Sequence, residues 1–222
     1  MSIFASFTKK SKLDASIRQT TQARKSEGAK SDQLYKSAYQ GYAEVLHGDL
    51  LRATALYQWG FALLHQAKSK SGDEAVSLYE ESISKFSFCM LIDPNYMGAA
   101  IDCGVAYMDL ARMRGVALHD NLYEMARRQF EKANSIQAGT AAFNLACIYA
   151  LRGDHEACLK ALENSRDKGS LPDAEDVLQD PDLESVKNQS WFIEFMESTN
   201  KKPEEKPVEA VTPEQAPEVE NP

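Results

Sequence analysis

Ala142-Phe-Asn-Leu-Ala-Cys-Ile-Tyr-Ala-Leu-Arg-Gly-Asp154 is the stretch that decides the fold. Apolar residues recur through it at three- and four-residue spacing, which is the signature of a buried helix. Gly153 stops that helix and Asp154 is placed to cap a second one, which carries Cys158 and Leu162. Working outward, the same pattern returns twice upstream. Cys103-Gly104 and Tyr107 stand 42 residues before Leu145-Ala146 and Tyr149. Trp59-Gly60 and Leu63 stand 44 residues before Cys103-Gly104 and Tyr107. The second helices repeat as Ser82/Phe86/Cys89, then Ala126/Phe130/Ala133, then Cys158 and Leu162 at a shift of only 32. The last unit has therefore lost about ten residues between its helices. Ala38, Tyr42 and Val45 have the same spacing and predict a leading helix before the three full units.

The logic of the repeat is steric. A small residue in each first helix lets the second helix come close. An aromatic and a small residue in the second helix then fill the space between neighbours. No single pair buries enough surface alone, so each next pair covers the face the last one leaves open.

This pattern resembles the tetratricopeptide (TPR) family. The resemblance is carried by Trp59-Gly60/Leu63, Cys103-Gly104/Tyr107 and Leu145-Ala146/Tyr149 in first helices. In second helices it is carried by Ala126/Phe130/Ala133, with Pro94 closing the first unit in Leu91-Ile-Asp-Pro94. Asp180-Pro-Asp-Leu-Glu-Ser-Val-Lys187, followed by Trp191-Phe192, looks like the segment that closes many bacterial TPR arrays. The resemblance spans residues 32–197 and implies an all-α, right-handed solenoid of helical hairpins. Two units are about ten residues too long for the family, and the simplest account lengthens their helices. A period near 44 also fits HEAT-type repeats. The TPR-length third unit and the recurring small residues favour TPR.

The rest of the chain agrees with an all-helical body. Only Pro94, Pro172 and Pro181 precede the tail, and no stretch alternates apolar and polar residues as a strand would. Breaks are predicted at Gly48-Asp49, Ser69–Asp73, Asp93–Asn95, Gly115–Asp120, Gly139, Gly153-Asp154 and Gly169–Asp173. Ser71-Gly-Asp-Glu74 has capping-box spacing, and Asp180-Pro181-Asp182 reads as a cap with Pro at the first helical position. A C-terminal cap is expected on Trp191, Phe192 and Phe195.

The chain divides into a basic N-terminal arm (1–31), partly disordered or marginally helical, a solenoid with its cap (32–198), and a disordered tail (199–222). Five of the last 22 residues are Pro and none is aromatic, so the tail cannot offset its ordering entropy. The net charge is −8, with +5 on residues 1–30 and an acidic body that argues against nucleic acid as a partner. Mean hydropathy is −0.45, and no stretch has the roughly 20 apolar residues of a membrane span. The opening residues lack the pattern of a secretory signal. Cys89, Cys103, Cys147 and Cys158 are widely spaced, so neither a disulfide framework nor a zinc staple is expected. Together these features predict a reducing, cytoplasmic protein.

Function is read from the faces. In TPR proteins the first helices line a concave groove. Carried over by motif, the groove positions are Tyr57, Phe61 and Leu64, then Ile101, Val105 and Met108, then Phe143 and Cys147. Such an apolar and aromatic strip suits an apolar peptide or amphipathic helix. The carboxylate clamp of chaperone-adaptor TPRs falls on Tyr57, Phe61, Asp102, Thr140 and Asn144, which supply no cation. His47, His65, His119 and His155 are scattered and read as solvated, and none has a partner at metal spacing. Arg112, Arg114, Arg127 and Arg128 lie near Asp109, Asp120 and Glu124, so mutual pairing is expected. No phosphate loop, nucleophile elbow or catalytic carboxylate pair is found, and no metal or cofactor is implied. The expected function is a non-enzymatic scaffold or adaptor that holds a protein or peptide partner in the groove. The alternative is a homo-oligomer that buries the strip against another copy.

Overall fold

The computed structural model describes residues 3–47 and 51–200. The predicted Gly48-Asp49 break and the Pro/Glu-rich tail from Lys201 lie outside the described residues. Within them the chain forms α1 (Ile3–Ala23), α2 (Gly28–Val45), α3 (Arg52–Ala67), α4 (Gly72–Ile92) and α5 (Met97–Arg114). It continues as α6 (Asn121–Ile136), α7 (Ala142–Leu151), α8 (His155–Asp167), α9 (Ala174–Gln179), a 3-10 turn (Pro181–Leu183) and α10 (Ser190–Asn200). No strand occurs among the described residues. Helices pack in consecutive hairpins, α1 with α2, α3 with α4, α5 with α6 and α7 with α8, and each hairpin leans on the next. The fold is a TPR-like helical solenoid.

The predicted breaks fall between these helices, and their residues explain why. Gly115 ends α5 at φ +60°, a left-handed conformation that costs other residues their Cβ clearance. Val116 N–H then reaches back to the Ala111 carbonyl at 3.2 Å, closing the helix end with its free carbonyls satisfied. Gly153 ends α7 in the same way, with Asp154 N–H on the Tyr149 carbonyl. Asp120 caps α6 by accepting from Leu122 N–H, and Asp154 caps α8 by accepting from Ala157 N–H. Ser71 occupies the N-cap of α4 without a side-chain bond, and Glu74 pairs with Lys70 instead of completing a box.

The steric rule holds in detail. Phe86 and Phe130 are fully buried, each worth roughly 1.5–3 kcal/mol of burial. Their rings lie on the bare backbones of Gly60 and Gly104. A Cβ added at those glycines would stand 2.8 Å and 2.5 Å from the rings. Ser82 Oγ donates to the Gly60 carbonyl at 2.8 Å, locking α4 to α3. The longer units have helices of 16 to 21 residues, against 10 and 13 in the α7–α8 pair.

The N-terminal segment differs from expectation. In place of a leading helix behind a marginal arm, α1 and α2 form a complete fourth hairpin. Leu13, Ser16, Thr20 and Ala23 are buried along one side of α1. Ser16 precedes Tyr42 by 26 residues, the same interval as Gly60 to Phe86 and Gly104 to Phe130. Two core positions are filled by hydroxyls that satisfy themselves locally. Ser16 donates to the Lys12 carbonyl, and Thr20 shares a 2.9 Å hydrogen bond with the Tyr42 hydroxyl. Buried Tyr35, Tyr79 and Tyr123 mark the same 44-residue repeat in three hairpins.

The far end carries α10. Phe192, Phe195 and Met196 of α10 are buried, and Trp191 packs half-buried beside them. Asp180 accepts from Asp182 N–H at 2.9 Å, with Pro181 opening the 3-10 turn. The Asp182 carboxylate meets Arg112 of α5 at 2.5 Å, clipping the closing segment to the second full unit.

Charge pairing also joins α6 to α7. Glu124 holds Arg127 at 2.8 Å and Arg128 at 3.1 Å from its own helix, and Arg152 from the end of α7 at 3.3 Å. Arg127, then burial in the opposing direction, then Arg128 and Arg152 set its pKa, which is lowered to about 2. A depressed carboxylate adds stability that is full above its unfolded value of 4.5 and is lost as pH falls through about 2. Glu124→Gln is therefore expected to melt lower than wild type at pH 7 and at the same temperature near pH 2. Thermal melts at the two pH values check this, and an equal deficit at both would contradict it.

Candidate functional site

First helices of the leading hairpins touch one another, α1 with α3 and α3 with α5, whereas second helices make no comparable contact, nor does α5 with α7. The first helices α1, α3 and α5 therefore form the inner row, and α7 is the first helix of the last hairpin. Tyr57, Phe61, Ile101, Val105 and Phe143 are half-buried on these first helices and rest on the core. They come from α3, α5 and α7. Leu64, Met108 and Cys147 also come from these helices, but at 2 %, 4 % and 4 % exposure they belong to the core beneath. Of the eight expected residues, five are thus partly exposed and three are buried.

Aromatic contacts organise the strip. Tyr57 lies 4.9 Å from the ring of Tyr96 and 6.2 Å from that of Phe61, centroid to centroid. Its pKa is pushed up by burial first, then by the nearby charge of Asp102 on α5. His65 stands edge-on to Phe61 at 4.3 Å. This histidine departs from the solvated reading. It is half-buried, and burial followed by the charges of Arg24 and Lys68 pulls its pKa down to about 4. It is neutral at neutral pH and serves as an apolar wall. His47, His119 and His155 are exposed.

The strip has charged neighbours that motif alignment did not find. Arg24, at the end of α1, sits 5.3 Å over the Phe61 ring. The clamp positions themselves supply no cation, yet the preceding hairpin brings one to the groove edge. Lys68 follows on α3 and pairs with Asp109 at 3.4 Å. Only the α1–α2 fold could reveal Arg24, because its place depends on where the first hairpin turns.

The other candidate groups are structural. All four cysteines are free and buried. Burial pushes the thiols of Cys89, Cys103 and Cys158 up to about 12, and that of Cys147 higher, so they pack as small apolar groups. Cys147, Asp180 and Asp182 approach closely enough to surround a metal ion. Asp180 is already the cap of the 3-10 turn and Asp182 already pairs with Arg112. The basic cluster pairs off, with partners partly different from those expected. Arg114 binds Glu80 of α4, and Arg127 binds both Glu124 and Glu131. A second apolar patch, Phe88, Leu91 and Ile92, is exposed on the outer helix α4.

The fold defines a helical-hairpin repeat protein. The sequence profile of the plant-specific mitochondrial import receptor subunit TOM20 family matches residues 31–162, from α2 into α8. The match covers more than half of the chain, and the chain belongs to that family. No individual curated protein matches it. The family is described as a receptor subunit, which is a protein-interaction role and not an enzymatic one. The cytoplasmic location expected from the sequence is overturned by this membership, since the family works in mitochondrial import. The free cysteines and the composition say nothing about attachment to an organelle, so the sequence could not make that distinction. No helix among the described residues is long and apolar enough to cross a membrane.

Proposed function

We propose that the inner face is a receptor groove that holds an amphipathic helical segment of another polypeptide. One observation supports this reading: Tyr57, Phe61, Ile101, Val105 and Phe143, on the first helices of three successive hairpins, are half-buried and pack against the core with part of each side chain exposed. Rigid aromatic and branched side chains, supported from below by Leu64 and Met108, lose little entropy when a guest covers them. The spacing suits a helix. Neighbouring inner helices lie about 8–10 Å apart when packed. A guest helix presents equivalent side chains every seven residues, about 10.5 Å. Family membership supports the reading, because an import receptor must hold part of a polypeptide in transit.

Titrating isotope-labelled protein with a synthetic amphipathic helix tests it. The methyl resonances of Ile101 and Val105 are expected to move saturably, while a scrambled peptide of equal composition leaves them in place. Shifts confined to Leu91 and Ile92 on the outer helix would assign binding to the wrong face.

A further inference from the structure

We propose that the two ends of the solenoid form a head-to-tail contact, in which the basic first hairpin of one copy docks on the acidic C-terminal end of a second copy. The contact uses none of the residues assigned above to the receptor groove.

Charge is sorted along the chain. Residues 8–47, the first hairpin, carry eight cations and four carboxylates. Residues 51–154 are close to neutral, with ten cations and eleven carboxylates. Residues 155–200 carry four cations and eleven carboxylates. The fold keeps these stretches apart. α1 and α2 pack on each other and on α3, whereas α10 packs on α8 and the 3-10 turn on α7. One end of the solenoid is therefore positive, the other negative, and the body between them balanced.

Pairing within the chain deepens the contrast. In the body, Arg112, Arg114, Arg127 and Arg152 all have carboxylate partners. At the basic end, Lys12 pairs with Glu44, and Asp32 is taken by Lys70 of the next hairpin. Arg18, Lys25, Lys30 and Lys36 are left exposed, and among the described residues none of them has an ion-pair partner. At the acidic end Glu156, Glu163, Asp173, Asp176, Glu194 and Glu197 are likewise exposed without one.

The terminal units of a solenoid need a polar outer face for solubility, and either sign of charge meets that need. Opposite signs go further and make each end complementary to the other. The hairpins α3–α4 and α5–α6 separate the two ends within one copy, so the partner of each end is a second copy. At about 0.1 M ionic strength the screening length is about 10 Å. Facing ends then attract, while the net charge of −8 is largely screened between the two bodies. Exposed ion pairs are individually weak. Ile193, exposed beside Glu194 on α10, adds an apolar side chain to the acidic end. The contact joins two different surfaces, so it adds copies in a row and does not close on a pair.

Sedimentation equilibrium of the full chain tests this, from about 10 µM to about 1 mM, in about 50 mM and about 500 mM salt. Wild type is compared with a basic-end variant, Arg18→Glu/Lys25→Glu/Lys30→Glu, and an acidic-end variant, Glu163→Lys/Glu194→Lys/Glu197→Lys. In low salt the weight-average mass of wild type is expected to pass that of a dimer and keep rising. High salt should move the same rise to at least about ten-fold higher concentration. Each variant alone should stay monomeric, with helicity by circular dichroism unchanged. Mixing the two variants should restore association, because the reversed ends complement each other, and misfolded chains would not recover in this way. A wild type that is monomeric throughout, association that salt does not weaken, a mass that levels at a dimer, or no recovery on mixing each overturns the proposal. Monomeric wild type that floats with vesicles of phosphatidylcholine and phosphatidylserine would assign the basic end to a lipid surface and overturn it too.

Discussion

Valine at position 104 is expected to lower the melting temperature by about 2–5 °C, a net cost near 1.3 kcal/mol for a chain of this size. An added Cβ at Gly104 already stands 2.5 Å from the Phe130 ring, and that ring has no exposed side toward which to move. Overpacking of this kind costs about 1–3 kcal/mol, and replacing a mid-helix glycine returns roughly 0.5–1 kcal/mol. The steric term is the larger because the ring is pinned between two hairpins. Shrinking it should relieve the clash. Gly104→Val with Phe130→Leu is expected to cost about 1 kcal/mol less than the two single changes summed. Melts followed by circular dichroism check both statements. A Gly104→Val protein more stable than wild type would mean that helix propensity outweighs the close approach.

The second large effect concerns binding. Phe61→Asp/Val105→Asp is expected to weaken a guest helix at least 100-fold, about 2.7 kcal/mol, while far-ultraviolet helicity stays unchanged. The two residues sit on adjacent inner helices and are only half-buried, so carboxylates there remain hydrated in the free protein. Covering them with an apolar guest desolvates two charges that the guest does not neutralise. Retained affinity with intact helicity would move the binding site elsewhere, with Phe88, Leu91 and Ile92 on α4 as the alternative surface.

Much of the fold was legible because its key contacts are glycine against aromatic at a constant interval. Gly60 with Phe86 and Gly104 with Phe130 are visible as residue types, and the structure confirms each as a backbone-to-ring contact. The first hairpin escaped notice because Ser16 replaces the glycine and Thr20 stands where Leu64 and Met108 stand in later units. Hydroxyls at core positions erase the apolar periodicity, although they are satisfied by the Lys12 carbonyl and Tyr42. Tyr35, Tyr79 and Tyr123 at 44-residue spacing were the signal that could have exposed it.

The inner face was legible as a set of positions and less so as a surface. Alignment cannot tell Phe61, half-buried, from Leu64, three residues on and 2 % exposed, because the next inner helix decides which of them is covered. Asp102 was placed in the groove by its motif position. Its closeness to Tyr57, and the pairing of Lys68 with Asp109, depend on how α3 and α5 pack. Mitochondrial association left no mark in the composition and came from family membership alone.

Site-specific photocrosslinking tests the receptor groove most directly. A photoreactive side chain is placed at Val105 or Phe143 on the first helices, or at Phe88 on the outer helix, in the full chain within its native cells. The receptor reading predicts adducts with other polypeptides at positions 105 and 143, abolished when Phe61→Asp is added, and none of comparable yield at 88. Adducts confined to position 88, or inner-row adducts only with further copies of this chain, would contradict it.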